Sequence, residues 1–240
     1  MRRLIRADIR RTLLKISFYI LPVIYAVLTF WGEKGKSKNF EDVFMVMTTS
    51  YKMVILYFAG IPVFLSVYAD ELKAGAMQTA IGRGMSRSKI VIAKFLDVVI
   101  LTAFNYLLYF ICDYIHLRYL MIVPTELQMT RFVLVVVGSY LKSVSYAGIG
   151  SIFVYLTWNA SIGLVAEILA TSFSGMILDW IQNHLRIPAM DVSVIGQIDQ
   201  ATAGYAAGGI WIVHILAVIA YLAVFVLISI ALFNRKELEL

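Results

Sequence analysis

One cysteine, Cys112, stands in 240 residues, and a lone thiol closes neither an internal disulfide nor a Cys-based zinc site. The three histidines, His116, His184 and His214, lie tens of residues apart. None has the i, i+4 spacing by which two imidazoles on one helix share a metal. Four prolines and no Ser/Gly-rich or low-complexity tract leave nothing to mark a linker, and no repeat of fixed period divides the chain. Residues 1–240 are therefore read as one domain. Charge is scarce as well, since Asp, Glu, Lys and Arg make up 15% of the residues. What fills the chain is apolar: hydrophobic residues account for 61% and the mean hydropathy is +0.83, more than a soluble domain of this size buries inside itself. The composition predicts an all-α membrane protein.

Apolar runs long enough to cross about 30 Å of hydrocarbon at 1.5 Å per residue occur near 14–31, 52–68, 95–115, 131–156, 162–178 and 210–232. Pro22 and Pro62 fall inside them; spans tolerate such breaks because neighbouring helices re-satisfy the freed backbone groups. Six spans put both termini on one side. That side holds thirteen Lys and Arg, in residues 1–15, 69–94 and 233–240. The other side holds seven: Lys34, Lys36, Lys38, Lys52, Arg118, Arg131 and Arg186. Positive residues stay inside, so the termini are expected in the cytoplasm. The formal charge of +6 then reflects topology rather than nucleic-acid binding. No small-x-small cleavage site follows the first apolar run, which is read as a true span and not as a signal peptide.

Ahead of that span, Ile5, Ile9, Leu13 and Ile16 form one stripe of a helical wheel flanked by Arg3, Arg6 and Arg10, the pattern of an interfacial amphipathic helix. The outer segment 179–209 mixes Trp180, Ile187, Val192, Ile195 and Tyr205 with polar residues and glycines, which predicts short helices that lie at the surface or dip back in.

The most informative stretch runs between the second and third spans, DELKAGAMQTAIGRGMSRSKIVIAKFL from Asp70 to Leu96. Ala74, Met77 and Ile81 repeat at helical spacing, Gly82 and Gly84 interrupt, and Ser86 is placed to cap a second helix running into span three. In this stretch the chain resembles permeases of the ABC-2 type. The likeness rests on an acid and a glycine after span two, Glu71 and Gly75, on a Gly-x-Ser-Arg turn from Gly84 through Ser86 to Arg87, and on a lysine at the mouth of span three, Lys94. The amphipathic start, six spans, long outer segment and basic last turn (Arg235, Lys236) are also similar. The resemblance implies a coupling helix that docks into an ATPase subunit, with two ATPase copies, a second permease that is identical or homologous, and a bacterial cytoplasmic membrane. It also implies export, of an antimicrobial peptide or another amphipathic compound.

No nucleotide site belongs to the chain itself. A phosphate loop needs Gly-x4-Gly-Lys-Ser/Thr; GEKGKSK from Gly32 has Phe30 five places before Gly35 and reads as a lysine-rich outer loop. ATP and Mg²⁺ are thus expected on a separate ATPase, and no cofactor or metal on this chain. An intramembrane protease would need a histidine-partnered serine or a His/Glu cluster, and the nearest string is AGIGSIF around Ser151. The remaining rival is a channel or toxin-immunity protein that works without an ATPase. Two ionisable residues fall at span depth, Lys142 and Glu167. If the short turn from Thr157 to Ser161 makes spans four and five neighbours, the lysine reaching toward the glutamate would lower the cost of both. Asp97 and Asp113 read as interfacial carboxylates facing water. Small residues repeat every fourth place at Ser143, Ala147 and Ser151 and at Ala166, Ala170 and Ser174, suited to close helix packing within the chain or across a dimer seam.

Overall fold

The computed structural model describes residues 2–32, 39–73 and 75–235. The lysine-rich loop carrying Lys34, Lys36 and Lys38, the position of Ala74, and Lys236 lie outside the described residues. Among those described there are ten helices and no strand. α1 (Arg2–Leu13) meets α2 (Ile16–Gly32) at a bend of 51°. α3 (Phe40–Lys73) continues through π-helical turns at Tyr51–Ile55 and Leu65–Ala69, which flank Gly60 and Pro62. A short α4 (Ala76–Gly82) follows, then α5 (Arg87–Tyr119), α6 (Glu126–Thr157), α7 (Ala160–Leu185), α8 (Ala189–Val192), α9 (Val194–Ala206) and α10 (Ile212–Arg235).

Five of these, α3, α5, α6, α7 and α10, are long and apolar enough to cross a membrane, and the bent α1–α2 pair makes a sixth if it counts as one span. The chain is a multi-pass, all-α membrane protein. α7 and α10 stand outermost: in the most apolar window of each only 11% is buried, and Val165, Leu169, Leu216 and Leu227 point outward, the distribution expected where lipid rather than water is the solvent.

Local chemistry sets the turns between spans. Thr125 and Gln128 form a reciprocal capping box at the start of α6, which satisfies two of the donors that a helix start leaves free. At its other end Trp158 adopts a left-handed conformation (φ 59°), and the Asn159 side chain accepts from the Ser161 amide at 2.8 Å to open α7. The turn is therefore short and α6 and α7 are neighbours, as their sequence spacing predicts.

Three apolar clusters fill the bundle. One at the α1 end gathers Phe18, Phe64, Tyr68, Ile90, Tyr155 and Phe233. A second, at the opposite end, gathers Tyr25, Met47, Tyr51, Tyr109 and Phe132. In the third, α9 packs Val194, Ile195 and Ile198 against Tyr146 of α6 and Val218 of α10. The segment after α7 thus packs on two long helices at once. Both small-residue faces are used inside the chain: Ser151 contacts Ser229 at 3.3 Å, and Ser174 contacts the Tyr146 hydroxyl at 3.2 Å.

Candidate functional site

A buried cluster of charges at the α1 end joins three helices that are far apart in sequence. Lys94, about two turns into α5, has 1% of its side chain exposed. Its Nζ donates to Asp8 Oδ2 of α1 at 2.6 Å and lies 3.0 Å from Glu71 Oε2 of α3 and 3.8 Å from Asp97 Oδ2 one turn on. Arg11 of α1 pairs with the other Glu71 oxygen and stands 3.8 Å from Asp8. Lys15 pairs with Asp70 at the rim. Buried charge survives in a low-dielectric interior only when it is paired and hydrogen-bonded, and here each base holds at least one acid. The cluster ties α1 to the ends of α3 and α5.

The short helix hangs from this cluster. Gly75 (φ +60°) breaks α3 from α4 with left-handed backbone, and Gly84 (φ +83°) closes α4. The Gly84 amide donates to the Ile81 carbonyl at 2.8 Å and the Met85 amide to the Ala80 carbonyl at 3.0 Å, a Schellman ending that requires a left-handed residue at Gly84. Met77 is buried against the bundle while Thr79, Arg83, Ser86 and Lys89 are exposed. Ser86 occupies the N-cap position of α5 with extended backbone, but its side chain makes no cap bond. The expected serine cap is absent, and only the Ser86 carbonyl, accepting from the Ile90 amide at 3.2 Å, marks the start of the helix. Arg87 donates through Nη1 to the carbonyls of Phe233 and Asn234 at 3.0 and 3.1 Å and lies over the Phe233 ring, so it caps the end of α10, where carbonyls are otherwise left free.

Of the six residues singled out by the family resemblance, Glu71 and Lys94 are brought into direct contact, Gly75 and Gly84 shape the short helix, Arg87 grips the last helix, and Ser86 stands exposed. The Glu71 carboxylate is engaged within the chain through both oxygens, and the residue is 2% exposed. Sequence reasoning missed Asp8, Arg11 and Lys15. The signal was that Asp8 is the one acid in an otherwise cationic helix. The face of α1 turned to the bundle is centred on Asp8 and Thr12, 8% and 1% exposed, whereas Ile16 of the predicted stripe is 83% exposed.

The expected Lys142–Glu167 pair does not form. Lys142 Nζ donates to Asp199 of α9 at 2.7 Å, and Glu167 has an oxygen without a partner. The reason is angular. Ser143, not Lys142, faces Glu167: a Cβ built at Gly60 would lie 3.0 Å from both the Ser143 hydroxyl and a Glu167 oxygen, and one residue is about 100° of helix turn. Asp97 and Asp113 are likewise not interfacial, because both are fully buried. They share the inward face of α5 with Lys94, Asn105, Tyr109 and His116, and Asp113 accepts from the Tyr25 hydroxyl at 2.8 Å.

No family model matches the chain, and no curated protein matches it.

Proposed function

We propose that the chain is the permease subunit of an ATP-driven exporter of the ABC-2 type, lying in a bacterial cytoplasmic membrane with six spans and both termini in the cytoplasm. The observation that supports this best is the placement of α4. It is a short helix held at the end of the bundle between two left-handed glycines, with Thr79 and Arg83 outward and with both flanking helices locked into the buried Glu71–Lys94 pair. A loop that only orients spans by its charge needs no such shape. A helix that passes a push from a partner into the bundle needs a free outer face and rigid attachment behind it.

In this reading two ATPase subunits dock against the exposed face of α4 and the start of α5, on a pair of permeases, identical or homologous. ATP and Mg²⁺ bind the ATPases, and the energy of closing that pair reaches the spans through α4. The ion-pair cluster makes α1, the end of α3 and the start of α5 move together. Transport of an amphipathic compound such as an antimicrobial peptide is part of the same reading. The test is co-purification from membranes with an ABC-type ATPase encoded in the same gene neighbourhood, which this reading expects. Wild-type chain retains the ATPase, and Arg83→Glu with Lys89→Glu, two exposed sites outside the buried cluster, releases it while the amount of membrane protein stays normal. Equal retention by both would remove α4 as the docking element.

A further inference from the structure

At the end of the bundle away from α1, helices α3, α6 and α9 enclose a cleft of about 360 Å³. Three cations line it, Lys52, Arg131 and Lys142, against one carboxylate, Asp199. Lys142 is held by Asp199 at 2.7 Å, whereas Lys52 and Arg131 are exposed and have no ion pair among the described residues. Arg131 and Lys142 sit eleven residues apart on α6, about 16 Å along the axis at 1.5 Å per residue. The cations therefore run from the mouth of the cleft to its floor. Phe44 and Val135 supply apolar wall, and the Thr48 hydroxyl on the same lining is buried without a hydrogen-bond partner.

Like charges around one cavity repel one another, and the arrangement is relieved by an anion that enters past Arg131 and accepts from Lys52 and Lys142. The apolar walls add a place for a hydrocarbon chain, which a free inorganic anion would leave unused. We propose that this cleft binds an anionic amphiphile, a phosphate or carboxylate head group on an apolar tail, with the head held by Lys52 and Lys142 toward the floor and Arg131 at the mouth drawing it in. Asp199 acts as the resident stand-in for that head group. Its side chain is 58% exposed, so it swings away from Lys142 when the ligand arrives. The site lies at the opposite end of the bundle from α4, and binding there needs no ATPase.

The experiment uses the full chain in phosphatidylcholine nanodiscs titrated with dodecyl phosphate by calorimetry, with protein-free discs subtracted. Wild-type protein binds, the affinity falls as salt is raised, and dodecyl maltoside, which has the same tail without charge, does not bind. Lys52→Gln with Arg131→Gln weakens binding roughly fivefold or more, the effect of removing two partly exposed charge contacts. Asp199→Asn frees Lys142 and tightens binding, a gain that a misfolded variant cannot produce. Phosphatidylglycerol in the disc distinguishes the source: competition with dodecyl phosphate assigns the head group to a membrane lipid, and its failure to compete assigns it to a soluble amphiphile. Binding unchanged in the double variant, weaker binding in Asp199→Asn, equal binding of dodecyl maltoside, or equal affinity for inorganic phosphate alone would each overturn the proposal.

Discussion

Lys94 and Lys142 are both lysines on long apolar helices, yet their surroundings assign them different weights. Lys94 is 1% exposed and bordered by Asp8, Glu71 and Asp97; removing it leaves buried carboxylates short of a cation, and breaking such a pair from one side typically costs about 3–5 kcal/mol. Lys142 is 19% exposed against a partner that is 58% exposed, where a pair contributes about 0.2–1 kcal/mol. Thermal unfolding in one detergent should therefore show Lys94→Met strongly destabilised and Lys142→Met close to wild type. Adding Glu71→Gln to Lys94→Met should recover part of the loss, because one orphaned carboxylate goes with it. Equal shifts for the two lysines would mean that the Lys94 cluster is not buried charge. The charges of this cluster were partly legible: Glu71 and Lys94 stand at the ends of apolar runs and read as important. Their joint partner, Asp8, was not, because an acid 63 residues before Glu71 declares no contact until α1 folds back on the bundle. Lys142 was assigned the wrong acid for a similar reason. Sequence gives the residue but not the 100° that decides which neighbour it faces.

At the scale of elements, the apolar runs and the short turn between α6 and α7 were readable, since length and hydropathy alone define a span. The placement of α9 was not, because its mixed composition suits either a surface helix or a buried one, and only packing on Tyr146 and Val218 settles the matter. One close helix contact also escaped pattern reading. The Ser143, Ala147 and Ser151 face was visible, but α6 and α7 also approach closely at Gly150 and Gly163, where a Cβ on Gly163 would stand 2.8 Å from the Gly150 carbonyl oxygen and also strike Val154. Close approach of this kind admits no side chain. Gly163→Ala should therefore cost about 1–3 kcal/mol by overpacking. Gly175→Ala on the same helix, with nothing within 4 Å, should be neutral or stabilise by up to about 1 kcal/mol, since alanine favours helix. Denaturation of the two variants side by side checks this, and similar losses in both would place the α6–α7 contact elsewhere.

For the whole molecule, the account makes α1 part of the moving unit rather than a passive surface anchor. Its basic face is at the membrane surface in the proposed topology, and its inner face is bolted by Asp8 and Arg11 to the ends of α3 and α5. A push on α4 then reaches three helices at once, because packed elements shift as units between discrete arrangements. Cutting one bolt should leave docking intact and weaken the transmission. The measurement that bears most directly on this is ATP turnover by the ATPase partner of the proposed function, reconstituted in lipid with and without the chain. The account predicts turnover raised several-fold by the wild-type chain, and a smaller rise with Asp8→Asn although the ATPase stays bound, because a loosened attachment passes less of the shift between discrete arrangements into α3 and α5. Turnover that is the same with the chain, without it, and with the variant would contradict the account.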